Sequence, residues 1–296
     1  MELREQIGHY IAQGVQQALQ GEGARALVSL DKALLLQPHQ AETHLLQALI
    51  YTQQEKYPEA LAACQRALHL QGELPEALVL RAYLYCRGKK VAAALPDLDR
   101  VQALCPRWWP VYAIRAWVYS RLDRWAEAEQ DLRQALRLEP GSAEICYNLG
   151  LVYQGLGQKE TALEYWGRAL LLQPHFPEAH AQRAALYGEM KDYARSLAEY
   201  DQWLQQQPDE PRAYYGRGRV RAASGDREGA IQDFSRVLAL NPNHGEAWFQ
   251  RGLAYSVLGQ TEAALADARR AAQIFHQQGN TTAYHRAQGL VAYLKK

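Results

Sequence analysis

The sequence predicts an all-α chain built from tandem helical hairpins. Ala143 to Phe176 holds two amphipathic helical patterns, parted by Gln154-Gly155-Leu156-Gly157-Gln158 and closed by Pro174. The same pattern recurs every 34 residues from 7 to 278 without an insertion. The eighth place of each copy is small, which lets two helix backbones approach closely.

Eight copies run in order: 7–40, 41–74, 75–108, 109–142, 143–176, 177–210, 211–244 and 245–278. Their eighth places read Gly14, Ala48, Ala82, Ala116, Gly150, Ala184, Gly218 and Gly252. The twentieth place is Ala in all but one copy, where Ser196 stands. Proline at the thirty-second place (Pro38, Pro106, Pro140, Pro174, Pro208, Pro242) stops each second helix just past its end. The second copy ends instead in Gln71-Gly72-Glu73-Leu74-Pro75, predicting a looser turn. Gln13 and Gln17 replace packing residues in the first copy, as suits a terminal repeat facing water. Beyond Gln278, Gly279-Asn280 breaks the helix, and Tyr284, Ala287, Val291 and Leu294 recur at helical spacing over 279–296.

The copy at 143–176 resembles a tetratricopeptide repeat (TPR), whose pattern is W-x2-L-G-x2-Y, then Ala, an aromatic, Ala and Pro. Leu149, Gly150, Tyr153, Ala162, Trp166, Ala169 and Pro174 stand at those places, and Cys146 replaces the first Trp. The resemblance extends through all eight copies. It implies an α-α superhelix, a TPR solenoid of antiparallel helix hairpins, with 279–296 as the capping helix that covers the last repeat.

Comparing the copies exposes a second regularity. Arg81, Arg115, Arg183, Arg217 and Arg251 occupy the seventh place, and sixteen residues on stand Asp97, Asp131, Glu199, Asp233 and Asp267. Copies lacking the Arg lack the acid: Gln13 with Ser29, Gln47 with Ala63, Leu149 with Tyr165. A partly buried Arg without its acid would be costly to desolvate, so an Arg–carboxylate pair is expected between the two helices of each of those repeats. Trp203 stands where the other copies have Ala or Val, so its helix is displaced or its ring turns outward.

With 33 basic and 32 acidic residues, the chain lacks the charge of a generic nucleic-acid or anionic-membrane binder. Cys64, Cys86, Cys105 and Cys146 show no C-x-x-C or Cys/His ligand spacing, which suits reduced thiols in the cytoplasm. The first residues are too polar for a secretory signal, and no apolar run reaches membrane-spanning length. A cytoplasmic, soluble protein is expected.

No catalytic constellation is present. Residues 216–221 (GRGRVR) are Gly-rich but lack the Gly-Lys-Ser/Thr of a phosphate loop and lie in a helical pattern. His39 and His44, like His175 and His180, are five apart, which is the wrong spacing for ligands on one helix face. No enzyme, metal or cofactor is expected.

The resemblance places the first helix of each repeat on a concave groove. The partner-binding candidates there are Tyr83, Arg87, Trp117, Arg121, Tyr147, Asn148, Leu151, Tyr215, Arg219 and Phe249. Such aromatic anchors edged by arginines suit capture of a peptide or helix from another protein. Burial of the same residues between neighbouring first helices is the competing reading. The Lys and Asn with which some TPR co-chaperones hold acidic chaperone tails are absent from the fifth and ninth places, although Asn148 sits at a comparable one. Two further patches stand out: the Trp108-Trp109-Pro110 turn, and Arg212, Arg217, Arg219, Arg221 and Arg227 in the seventh copy. The expected function is a non-catalytic scaffold, adaptor or assembly factor. Nucleic-acid binding by the arginines and groove-mediated self-association are the alternatives.

Overall fold

The computed structural model describes residues 2–295. Among them are seventeen α-helices, one short 3-10 segment and no strand, so the fold class is all-α. The chain divides after Gln158 into two compact units. That border falls between the two helical patterns of the copy at 143–176.

The first unit contains α1 (Glu2–Leu19), α2 (Gly23–Leu36), α3 (Ala41–Gln53), α4 (Tyr57–Leu70) and α5 (Pro75–Arg87). A 3-10 turn (Val91–Ala94) leads into α6 (Leu95–Leu104), followed by α7 (Trp109–Arg121), α8 (Trp125–Leu138) and α9 (Ala143–Gly155). The helices pack as successive hairpins, α1 on α2, α3 on α4, α5 on α6 and α7 on α8, and each second helix also packs on the next first helix. Alanines at the contacts, among them Ala26, Ala48, Ala60, Ala82, Ala116 and Ala128, are fully or almost fully buried. They set the close helix approach, and Leu30, Leu78, Leu98, Leu132 and Leu149 fill the space between.

The second unit contains α10 (Lys159–Leu172), α11 (Pro177–Glu189), α12 (Tyr193–Gln206) and α13 (Pro211–Ser224). It continues with α14 (Arg227–Leu240), α15 (Gly245–Val257), α16 (Thr261–Gln277) and α17 (Thr281–Tyr293). The same pairing recurs, and α17 lies on α16, burying Ala283, Ala287, Leu290 and Val291 against Ala268, Ala271 and Phe275. Trp203 does not turn outward. It is buried, stacked on Tyr200 at 6.4 Å, and its Nε1 donates to Gln207 Oε1. Tyr200 fits because position 216 is glycine; a Cβ there would collide with its ring. Ser196, in place of the usual Ala, donates its buried hydroxyl to the Ala184 carbonyl at 2.7 Å.

The five Arg–acid pairs are all present. Arg81, Arg115, Arg217 and Arg251 each grip their Asp through two hydrogen bonds of 2.6–3.0 Å. Arg183 reaches Glu199 at 3.0 Å and shares it with His180 Nδ1 at 2.7 Å. The sequence comparison missed the other half of this ladder. Arg115 and Arg217 also reach back sixteen residues, to Asp99 and Asp201, and Arg251 reaches Ser235. Gln47, which lacks an acid ahead, donates to Asp31 behind it at 2.6 Å. Each such side chain therefore ties its own first helix to the preceding second helix. Gln17, expected in water, turns inward and accepts from Ser29 Oγ, whereas Gln13 is exposed.

Each turn from first to second helix passes through one left-handed residue. These are Gly21, Glu55, Lys89, Asp123, Gly157, Lys191, Gly225 and Gly259, with φ between 56° and 98°. The reversal permits short connections and antiparallel packing. A recurrent anchor works at the other end of the hairpin: Tyr112, Tyr214 and Trp248 each donate to the carbonyl of the proline six residues earlier.

Candidate functional site

In the first unit, α5, α7 and α9 run in the same direction, because one antiparallel helix separates each from the next. Side chains at equivalent places on these helices therefore share a face. On that face lies a largely apolar cleft of about 1400 Å³. Tyr83, Trp117, Asn148 and Leu151 line it, with Arg121 at one end of the floor. Tyr83 is 47% exposed and Trp117 49%, far more than a packed aromatic would be.

Burial between first helices therefore does not remove these two rings. Their own helices account for the exposure. Ala82 and Ala116, one residue earlier, take the inward direction and are buried, so the ninth place faces away from the hairpin. Val79 and Ala113, one turn earlier, extend the apolar floor.

Arg87 stands beside the cleft, one turn beyond Tyr83. Its Nη2 donates to the Tyr57 hydroxyl at 2.7 Å with its guanidinium 5.1 Å from that ring, and this bond raises its pKa from the ordinary value. Arg121 lies 5.6 Å from the Trp117 ring centre. Among the described residues, neither arginine is within ion-pair distance of a carboxylate. Tyr147 is half-buried on α9.

The lining extends beyond the partner-binding candidates named from sequence. Trp108, 40% exposed just before α7, borders the cleft, as do Leu49 of α3, Trp125 of α8, Cys86 and Cys105. Trp108 stands out in sequence as part of a patch; its place beside Trp117 is not legible there, because the turn geometry that carries it leaves no periodic trace. Burial pushes the Cys86 thiol above its ordinary value, with Arg121 pulling the other way, so it is a weak nucleophile at neutral pH.

The candidates of the second unit stand differently. Phe249 is 8% exposed and belongs to the core closed by α17, with Arg286 over its ring at 5.1 Å. Its expected place on an open lining is corrected: the terminal helix covers it. Tyr215 is half-buried against Phe234 and His244, and burial raises its phenol above the ordinary value. Arg219 is exposed. The seventh-copy arginines are largely neutralised at short range. Arg212 pairs with Glu210, Arg217 with Asp233 and Asp201, and Arg221 with Asp233.

Among the described residues no group of three or more His, Cys, Asp or Glu could hold a metal ion, and no helix is long and apolar enough to cross a membrane. The four cysteines form no disulfide.

Paired helices stacked in tandem, with a first-helix face left open, define a helical-repeat protein. The chain belongs to the tetratricopeptide repeat family. Tetratricopeptide repeat families match residues 18–75, 115–138, 143–176, 182–235 and 215–279, and one of them alone spans more than half the chain. No curated protein matches the sequence. Several solved structures are similar. A tetratricopeptide repeat protein from Parabacteroides merdae ATCC 43184 covers 84% of this chain and 99% of its own, at 21% identity and TM-score 0.67. PilW, a widely conserved type IV pilus biogenesis factor, covers 72% of this chain and 98% of its own, at 20% identity and TM-score 0.62. A chain of the APC/C hetero-tetramer Cut9-Hcn1 covers 81% of this chain and 48% of its own, at 17% identity and TM-score 0.60. At these identities the likeness speaks for the fold alone.

Proposed function

We propose that this chain is a non-catalytic protein-binding scaffold that holds a segment of another protein in the cleft over α5, α7 and α9. The observation that carries the reading is the half-exposed pair Tyr83 and Trp117 in a largely apolar cleft. Rigid aromatic anchors around a concave surface are the usual source of binding energy in protein interfaces. Fold analogues named for pilus biogenesis and for a hetero-tetrameric assembly support the same reading by analogy. Four thiols outside any disulfide support a reducing, cytoplasmic setting. The eight-copy partition with a terminal cap is retained as the proposed repeat organisation.

Affinity capture from native extract with the full chain tests this. Wild type is compared with a Tyr83→Ala, Trp117→Ala double variant whose thermal unfolding is checked first. Both rings are half-exposed, so the variant should fold. Loss of the wild-type set of captured proteins is expected; recovery of the same set by both would overturn the reading. Sedimentation at several concentrations separates capture of another protein from self-association.

A further inference from the structure

The charged rim of the cleft indicates what docks there, a conclusion that rests on the cleft being a docking surface. Four arginines lie on α5 and α7. Arg81 and Arg115 are saturated by Asp97, Asp131 and Asp99 inside the ladder. Arg87 and Arg121 have no carboxylate within ion-pair distance among the described residues, yet both are held in place over aromatic rings, Tyr57 and Trp117. Each stands four residues beyond an exposed ring, Tyr83 or Trp117, on the same helix face. The other first helices carry Leu19, Gln53, Gly155, Glu189, Ala223 and Val257 at that place. Arginine without a carboxylate therefore occurs there only on the two helices that also carry the exposed rings.

The opposite rim differs in charge. Glu76 and Glu144 begin α5 and α9 and line the cleft. A first-turn Glu also begins α3, α11 and α15, where it complements the helix dipole. Glu76 and Arg87 are eleven positions apart on α5, roughly 16 Å along its axis at about 1.5 Å per residue. A strand would leave most of that width empty, whereas one α-helix, about 10–12 Å across, fills it. A cylinder of that kind holds one residue in roughly 120–170 Å³, so the cleft of about 1400 Å³ takes roughly eight to twelve residues, about two to three turns.

From these dimensions and charges we infer that the occupant of the cleft is a short amphipathic helix of a partner protein, lying across α5, α7 and α9. Its apolar stripe rests on Tyr83 and Trp117. Carboxylates on one flank meet Arg87 and Arg121, and the flank toward Glu76 and Glu144 is basic or neutral. Because the pairs lie at the rim, they set orientation and salt dependence, while the rings supply the burial.

A displayed library of fourteen-residue peptides on a helix-forming frame tests this, with apolar residues varied along one stripe and Glu, Lys or Gln varied on both flanks. Selection uses the full chain as wild type, as Trp117→Ala, and as the charge-reversed Arg87→Glu, Arg121→Glu double variant. Wild type should enrich peptides with paired Glu on one flank. These should bind Trp117→Ala weakly, and replacing both Glu by Lys should weaken binding to wild type about fivefold, an effect that added salt diminishes. The charge-reversed variant should instead select Lys at those places. Enrichment of peptides that need Trp117 but show no flank preference would overturn the acidic-helix inference and leave the cleft as a docking surface. Absence of any peptide that depends on Trp117 would overturn both.

Discussion

Arg115 on α7 grips Asp131 on α8 through two hydrogen bonds of 2.7 Å, and one of its remaining donors reaches Asp99 on α6 at 2.7 Å. One guanidinium thus joins three helices. Because its side chain and that of Asp131 are almost wholly removed from solvent, the pair works in a medium that screens charge poorly.

Replacing Asp131 by Ala leaves the buried Arg115 with only Asp99 and Gln102. Breaking a buried pair from one side costs about 3–5 kcal/mol, and the surviving partners reduce this to about 2–3 kcal/mol. Urea unfolding should show that loss, while Glu73→Ala, which breaks the exposed Arg100–Glu73 contact, should cost less than about 0.5 kcal/mol.

The ladder also explains its own weak rung. Arg183 Nε, which in other rungs donates to the acid ahead, is buried without a partner while His180 shares Glu199, and the position sixteen residues earlier, which in other rungs accepts from Nη1, is Gly167. A Cβ at Gly167 meets nothing within 4 Å. Gly167→Asp should therefore stabilise the chain by about 1 kcal/mol, part from helix propensity and part from the new hydrogen bond. In an Arg183→Ala background the hydrogen-bond part should disappear, as a double-mutant cycle would show.

Much of this was legible in sequence, for a physical reason. A repeat must present the same small residue at every helix contact and the same acid to every buried arginine, so the constraint is printed once per copy. Gly150, Ala162 and the five Arg–acid pairs were readable that way. Asp99, Asp201 and Asp31 were not, because the residue sixteen places behind each arginine varies among Gln, Asp, Gly and Ser, and Asp31 faces Gln47, so no fixed residue type is left. Exposure was harder still. Phe249 reads in sequence as another large apolar residue on a first helix, and its burial depends on α17, which packs over it.

Lys191 adopts a left-handed conformation, φ 62°, in the turn between α11 and α12. An L-residue there is strained by about 1–2 kcal/mol, and glycine returns about 0.5–1 kcal/mol of that through its greater freedom when unfolded. Lys191→Gly should stabilise by about 0.5–1 kcal/mol in urea unfolding. Asp123→Gly should gain less, since Asp tolerates this region better.

Glu210 caps α13, accepting from the Arg212 backbone amide at 3.0 Å and from the Arg212 side chain at 2.9 Å. The Arg212 side-chain bond chiefly holds its pKa below the ordinary carboxylate value. A depressed carboxylate contributes stability above the unfolded pKa and loses it as pH falls through the folded one. Glu210→Gln should therefore cost about 0.5–1 kcal/mol at pH 7, and the difference from wild type should shrink as the pH falls below about 4.

Hydrogen exchange across the full chain, with and without a partner captured through Tyr83 and Trp117, tests the placement of the docking surface most directly. The account predicts added protection concentrated in residues 75–87, 109–121 and 143–155, the helices that form the cleft floor. Protection confined to second helices, or to the unit after Gln158, would contradict it.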